Sequence, residues 1–283
     1  MAPAGPSEPG TLQAGLDFLR ARGFEVVTAP NLLARDAYLA GPDESRADGI
    51  VALLDEGVEA LIAARGGYGV IRVLDRLPWE RLAAWQGWVA GFSDITALHA
   101  GLATRFPRAT LHGPVVGSLA RDVRGGELLV SWLCGRPPSR LFAIPPARVV
   151  RPGVARGVAV GGTLSLLAAL VGTPFEPDYR DAVLFVEDVS EPLYRLDRLL
   201  TQLRLSSRLA EVKAVVAGRL ARCGRGERGW RERWRELLLA ATPPDAVVVE
   251  GLPFGHGRTN VPFPLGVEVE VNTTDRAITW GRA

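Results

Sequence analysis

Three kinds of side chain in this sequence are spaced so that they could carry out acyl transfer. Ser93 lies in Trp88-Val-Ala-Gly-Phe-Ser-Asp-Ile-Thr-Ala-Leu98, where a short apolar strand runs through Gly91 and a helical pattern begins just after the serine. A serine at such a turn shows its hydroxyl at the carboxyl end of a parallel sheet. The free N–H groups and positive dipole end of the helix lie beside it. That is the geometry of a nucleophile elbow, in which the next N–H, that of Asp94, stabilises an oxyanion. The G-x-S-x-G pattern is only half met, because Ile95 stands where the second glycine belongs. Ser followed by an acid also makes a good helix N-cap, and from this segment alone the cap is the more economical reading.

A serine nucleophile needs a base, and the chain has three histidines. His99 is six positions beyond Ser93 on the same helical pattern, about 120° round the axis, so it faces elsewhere. His112, in Thr110-Leu-His-Gly-Pro114, ends a strand-like run near a sheet edge. His256 sits between glycines in Pro253-Phe-Gly-His-Gly257, just past the strand-like Val247-Val-Val-Glu-Gly-Leu252. A histidine so flanked is presented rather than buried, which makes His256 the better base. The orienting carboxylate falls on Glu187 or Asp188 in Leu184-Phe-Val-Glu-Asp-Val189; neighbours on a strand point to opposite faces, so only one can reach the site. Acids in so apolar a strand are costly to bury without a partner.

A glycine loop, Ala64-Arg-Gly-Gly-Tyr-Gly69, follows the strand-like Ala60–Ala64. It is neither a G-x-G-x-x-G fingerprint nor a P-loop, so nucleotide binding has little support. It opens on the same sheet edge as Ser93, and Gly67 or Gly66 could give a second oxyanion donor. Taken alone, the loop reads more readily as an ordinary tight turn.

The elements that must hold these residues alternate. Phe24–Thr28, Ala60–Ala64 and Trp88–Phe92 read as strands; Leu12–Arg22, Ser45–Glu56, Asp94–Thr104 and Gly126–Leu133 read as helices. The expectation is an α/β protein: an N-terminal parallel-sheet domain of flavodoxin-like or Rossmann-like type over residues 1–140, then a Pro/Arg-rich linker over 141–156. A smaller mixed α/β domain over 157–283 completes it, with strands at 183–189, 214–217, 246–250, 267–271 and 277–280. Its helices fall at 193–209 and 227–241, with another starting at Gly161-Gly-Thr-Leu164.

Composition excludes several classes. The 283 residues are 47% hydrophobic and 23% charged, which rules out disorder. The net charge is +2, and acids are interspersed among the 33 basic residues, of which only Lys213 is lysine. No clustered phosphate-binding surface is implied, so no nucleic-acid partner is expected. Cys134 and Cys223 form no zinc or disulfide pattern, and no metal or cofactor is expected. The apolar run at Leu164–Val171 is far short of the roughly 20 residues a membrane helix needs. The amino-terminal segment lacks the basic stretch and apolar core of a signal peptide. The expectation is a cytoplasmic protein with no membrane partner.

Taken together, the motifs resemble the LD-carboxypeptidase family, which includes the microcin-immunity serine peptidases. The resemblance rests on Tyr38-Leu-Ala-Gly-Pro-Asp-Glu-Ser-Arg-Ala-Asp48, the RGGYG loop, Gly91-Phe-Ser-Asp94 and His112-Gly-Pro114. It continues through Gly161-Gly-Thr-Leu164, Leu170-Val-Gly-Thr-Pro174, the Glu187–Asp188 strand, Tyr194-Arg-Leu-Asp-Arg198, Val216-Ala-Gly-Arg219 and Pro253-Phe-Gly-His-Gly257, nearly the whole chain. Thr163 departs from the family's frequent Asn, and the family's first strand would precede Ala2-Pro-Ala. The resemblance implies Ser93 as nucleophile, His256 as base and Glu187 as its orienting acid. It places the oxyanion hole at the Asp94 N–H and Gly67. It further implies cleavage of an L–D peptide bond in a murein tetrapeptide or related small peptide during wall recycling, and a homodimer. Gly66, Tyr68 and His112 are expected at the substrate. The microcin-immunity reaction on aminoacyl or peptidyl nucleotide conjugates uses the same triad; an ordinary esterase and a non-catalytic small-ligand module are more distant readings.

Overall fold

The computed structural model describes residues 1–106 and 108–281. In the first half lie α1 (Pro9–Arg20), α2 (Asp43–Asp55), β1 (Ala60–Ile62), α3 (Trp79–Ala84) and β2 (Trp88–Gly91). They are followed by α4 (Thr96–Arg105), β3 (Thr110–His112), α5 (Val116–Leu119) and α6 (Val123–Leu133). Next come β4 (Arg140–Ala143), β5 (Val149–Arg151), β6 (Val154–Thr163), α7 (Leu164–Leu170), β7 (Val183–Val189) and α8 (Leu193–Leu205). The chain continues through β8 (Ala214–Ala221), α9 (Trp230–Ala241), β9 (Val247–Val249), β10 (Phe263–Leu265), β11 (Glu268–Asn272) and β12 (Ala277–Trp280).

Two sheets result. The first has the order β1-β2-β3-β10; β1, β2 and β3 are parallel, and β10 returns from the second half to pair antiparallel with β3, Phe263 opposite His112. The second has eight strands in the order β4-β12-β11-β6-β7-β8-β9-β5, with a parallel centre from β6 to β9 and antiparallel flanks. The mixed unit expected to be the smaller therefore holds the larger sheet. Segment 141–156, expected as a linker, carries most of β4, all of β5 and the start of β6 within that sheet.

Burial explains why the strands read as they do. Six of the seven residues of β7 are buried, as a central parallel strand covered on both faces requires. In α8, Leu196, Leu200 and Leu203 recur at helical spacing and form its buried face. Phe185 of β7, Phe142 of β4, Phe254 and Phe263 of β10 form one aromatic cluster, with Phe185 stacked 4.5 Å from Phe263. The cluster packs the two sheets into a shared core, and each such aromatic pair adds about 1 kcal/mol to simple burial.

One expected strand is absent. Phe24–Thr28 enters no ladder despite its β-branched residues. Strand propensity is a fit to neighbours, not a property of the segment, and among the described residues no strand pairs with this segment. A groove of about 560 Å³ is lined by Phe24–Thr28 and also by Val58–Ala60 and Ile62. Beside β1, Met1 alone continues the ladder: its N donates to the Ile62 carbonyl at 2.9 Å and its carbonyl accepts from Ala64 N–H at 2.8 Å.

Candidate active site

The carboxyl ends of β1, β2 and β7 and the loop after β9 converge, as the placement of sites in parallel α/β sheets requires. At the end of β2 the backbone turns sharply: Ser93 has φ +63°, a left-handed conformation uncommon outside glycine, and a 3₁₀ turn over Ser93–Ile95 leads into α4. Its side chain makes no capping bond, and the residue capping α4 is Ile95. The helix-cap reading of Ser93 thus gives way to the elbow.

Ser93 Oγ lies 3.1 Å from His256 Nε2, and His256 Nδ1 lies 2.6 Å from Glu187 Oε2. The His256 backbone N–H donates to the same carboxylate oxygen at 3.1 Å. The Thr163 hydroxyl donates to the other oxygen, Oε1, at 2.5 Å. With Nδ1–H held by the carboxylate, the Nε2 lone pair is left for the serine hydroxyl.

The Glu187 side chain is wholly buried. Burial pushes its carboxyl up, but the His256 hydrogen bond and charge, His112 and the Thr163 hydroxyl outweigh that and hold it below its ordinary value. It sits where the β7–β8 register shifts, an irregularity of the kind that re-aims side chains beside active sites. Asp188 points the other way and accepts from Ser165 N–H at 2.8 Å, at the start of α7; burial lifts it to about 6. The alternation therefore selects Glu187.

The histidine loop is tightly specified. Gly255 has φ +86°, and a Cβ there would lie 2.3 Å from Glu187 Oε2, so only glycine fits. Gly255 N–H donates to Asn260 Oδ1 at 2.8 Å, and Asn260 N–H donates to Asp122 Oδ2 at 2.7 Å, which ties the loop to the start of α6. Phe92 packs against the imidazole with ring centroids 4.8 Å apart.

The glycine loop after β1 meets the nucleophile directly. A Cβ on Gly66 would lie 2.8 Å from Ser93 Cβ and 3.0 Å from Oγ. Among the described residues, the N–H groups of Gly67 and Asp94 have no protein acceptor. Next to Gly67 opens a cleft of about 620 Å³ lined by Gly5, Pro6, Arg35, Ala37, Tyr38, Arg65 and Tyr68. Tyr38 and Tyr68 stand edge to face in it, centroids 5.8 Å apart.

The other two histidines are buried and line no part of that cleft. His99 is buried, with Nε2 3.0 Å from the Gly91 carbonyl, and burial lowers its pKa to about 4. His112, expected at the substrate, is instead completely buried among Phe92, Phe254 and Phe263, with neither ring nitrogen bonded. Burial there lowers its pKa to about 3. The strand that covers it, β10, comes from the far end of the chain, which no local reading of His112-Gly-Pro114 reveals.

Sequence reasoning missed the supports of the site: the Thr163 hydroxyl on Glu187, the Asn260–Asp122 tie, and Arg46. For Arg46 a signal existed. It falls on the same helical stripe as Ile50 and Leu53, a charge on an apolar face. Among the described residues no group of three or more His, Cys, Asp or Glu side chains is arranged to hold a metal ion. No helix there is long and apolar enough to cross a membrane.

A hydroxyl, an imidazole and a buried carboxylate in one hydrogen-bonded row, next to unclaimed N–H groups, make the equipment of a serine hydrolase. The family models for the LD-carboxypeptidase N-terminal and C-terminal domains match residues 1–113 and 156–271. The chain belongs to the LD-carboxypeptidase family and is a serine-type peptidase. A Streptomyces coelicolor protein, only provisionally named a carboxypeptidase, is 42% identical over 291 residues, covering 100% of this chain and 92% of its own. The murein tetrapeptide carboxypeptidase of Pseudomonas aeruginosa is 31% identical over 284 residues, covering 94% and 90%. The solved structure of MccF in complex with glutamyl sulfamoyl guanosine is 21% identical, with a TM-score of 0.89 over 100% of this chain and 95% of that one. At that identity the likeness is one of fold.

Proposed function

We propose that this enzyme is a carboxypeptidase that releases terminal D-Ala from a murein tetrapeptide in wall recycling, with Ser93 as nucleophile, His256 as general base and acid, and Glu187 as the orienting carboxylate. The observation that carries the reading is the unbroken row Ser93 Oγ, His256 Nε2, His256 Nδ1, Glu187 Oε2, at 3.1 and 2.6 Å. The nucleophile comes from residues 1–140 and its partners from 157–283, so the pairing of β10 with β3 fixes the catalytic distances.

The reaction follows from the geometry. The Ser93 hydroxyl gives its proton to Nε2 as the oxygen bonds to the scissile carbonyl carbon. Glu187 steadies the imidazolium that forms. The oxyanion takes hydrogen bonds from the Asp94 and Gly67 N–H groups, each contributing about 3 kcal/mol to the transition state. His256 then gives its proton to the departing amine as the C–N bond breaks. Water, deprotonated by the same imidazole, then adds to the ester carbonyl, and His256 returns that proton to Ser93 Oγ as the acyl C–O bond breaks. Gly66 leaves room for the tetrahedral centre against the nucleophile, and Tyr68 forms one wall of the cleft in which the peptide lies. The murein substrate is supported by the Pseudomonas relative.

The test is release of D-Ala from purified murein tetrapeptide. Ser93→Ala and His256→Ala should each lower kcat by roughly 10⁶-fold and Glu187→Ala by roughly 10⁴-fold. An enzyme that leaves the tetrapeptide intact but cleaves an aminoacyl sulfamoyl nucleoside would overturn the substrate and keep the mechanism. Full activity in Ser93→Ala would overturn both.

A further inference from the structure

The Tyr38–Asp48 run and the Asp94 carboxylate take no part in the chemistry described, yet they meet at one peptide group. That group joins Gly69 to Val70 at the end of the glycine loop. Its carbonyl accepts from Arg46 Nη1 at 2.8 Å, and its N–H donates to Asp94 Oδ2 at 2.8 Å. One peptide plane is thus held from both sides, by a cation and by a carboxylate. Arg46 is wholly buried; the same nitrogen also donates to the Pro3 carbonyl, and its other terminal nitrogen binds Asp43. Asp43 in turn takes Arg72 through both carboxylate oxygens, at 3.0 and 2.7 Å.

The Pro3 contact matters because Gly5 lies just beyond it in the chain. Gly5 N–H donates to the Gly66 carbonyl at 3.1 Å. The Gly66 carbonyl and the Gly67 N–H belong to one trans peptide, so they point in opposite directions. Fixing the carbonyl on Gly5 therefore aims the Gly67 N–H away from Gly5. Arg46 bridges the two segments on which that aim depends, Pro3–Gly5 and Gly66–Gly69.

We infer that Arg46, closed by the Asp94 carboxylate, is the positioning residue of the oxyanion hole: it locks the glycine loop so that the Gly67 N–H is held in register with the Asp94 N–H before substrate arrives. This rests on the reading of those two N–H groups as oxyanion donors. A charged side chain suits the task, since charge-assisted bonds to carbonyls are shorter and stronger than neutral ones. Such preorganisation acts on the transition state and not on substrate binding.

The experiment compares Arg46→Met, Arg46→Lys, Asp94→Ala and Asp94→Asn with wild type. It reads kcat and KM on the tetrapeptide and amide hydrogen exchange at Val70. Arg46→Met and Asp94→Ala should lower kcat about 100-fold with KM within about three-fold, the signature of a lost transition-state interaction. The Val70 amide should exchange at least ten-fold faster in both. Asp94→Asn keeps an acceptor for the Val70 N–H and should retain at least ten-fold more kcat than Asp94→Ala, with slower Val70 exchange; Arg46→Lys should fall between Arg46→Met and wild type. The inference is overturned if folded Arg46→Met keeps kcat within two-fold, or if Val70 exchange is unchanged. Should Arg46→Met not fold, the Asp94 pair decides alone: equal kcat in Ala and Asn overturns it. A wild type that is inert and is not labelled at Ser93 by a fluorophosphonate sinks the peptidase reading instead, and the exchange comparison still decides whether the clamp exists.

Discussion

Replacing His112 by Leu should make the protein less sensitive to acid, by an amount that the burial of this one ring sets. His112 is fully enclosed by Phe92, Phe254 and Phe263, and neither ring nitrogen has a partner. Charging it there has nothing to compensate the lost hydration except the more distant Glu187 carboxylate, while His99 and His256 oppose it. Burial therefore lowers its pKa from 6.5 to about 3. The unfolded chain takes up the proton below 6.5 and the folded chain does not until about 3, so the unfolded state binds more protons throughout that window. The stability that depends on a neutral His112 is accordingly present above pH 6.5 and is lost as pH falls towards 3. Each pH unit below 6.5 costs about 1.4 kcal/mol, which makes about 2 kcal/mol between pH 7 and pH 5.

Leucine has no proton to take up, and His99, Asp94 and Asp188 titrate alike in both proteins, so their contributions cancel in the comparison. The assay is urea unfolding of wild type and His112→Leu at pH 7 and pH 5. Any packing penalty of the substitution appears at both pH values and drops out of the difference. Wild type should lose about 2 kcal/mol more than the variant across the interval. A difference under about 0.5 kcal/mol would refute the reasoning, because it would mean that His112 finds a partner for its proton inside the fold.

Three other substitutions probe the site. Gly66→Ala puts a methyl 2.8 Å from Ser93 Cβ; kcat should fall at least about 100-fold while the thermal midpoint moves little, and steady-state kinetics with a melting curve checks both. Thr163→Val removes the hydroxyl that donates to Glu187 Oε1, so the carboxyl should titrate at higher pH. NMR of the Glu187 side-chain carboxyl should show that shift, with kcat about ten-fold lower at neutrality. Asn260→Ala removes the acceptor of the buried Gly255 N–H and leaves the backbone bond from residue 260 to Asp122 in place; calorimetry should show a loss of about 2 kcal/mol, and kcat should fall with it because the turn that carries His256 is loosened.

What the sequence disclosed and what it hid divide along a physical line, the distance in sequence over which each feature is decided. β7 was legible to the residue, since a run of buried apolar side chains that ends in Glu187 and Asp188 is a local pattern. Which of the two acids faces the site is not local; it depends on the register against β8 and on a histidine 69 positions away. Ser93 shows the same limit. A helix cap and a nucleophile elbow both want a serine at that turn, and φ +63° with an imidazole 163 positions distant separates them. Phe24–Thr28 has strand-forming residues and no strand, because propensity lies in the segment and the ladder in its neighbour. His112 reads as lying near a sheet edge until β10 arrives from the end of the chain to cover it. Arg46 lies between these cases: its place on the stripe of Ile50 and Leu53 is plain in the sequence, but the carbonyls that justify burying a charge there belong to two other segments. A charged residue on an apolar helical stripe is thus, like the acids in β7, a local sign of a non-local support. In this chain such a residue marks, within the sequence itself, the clamp that joins the Pro3 and Gly69 carbonyls.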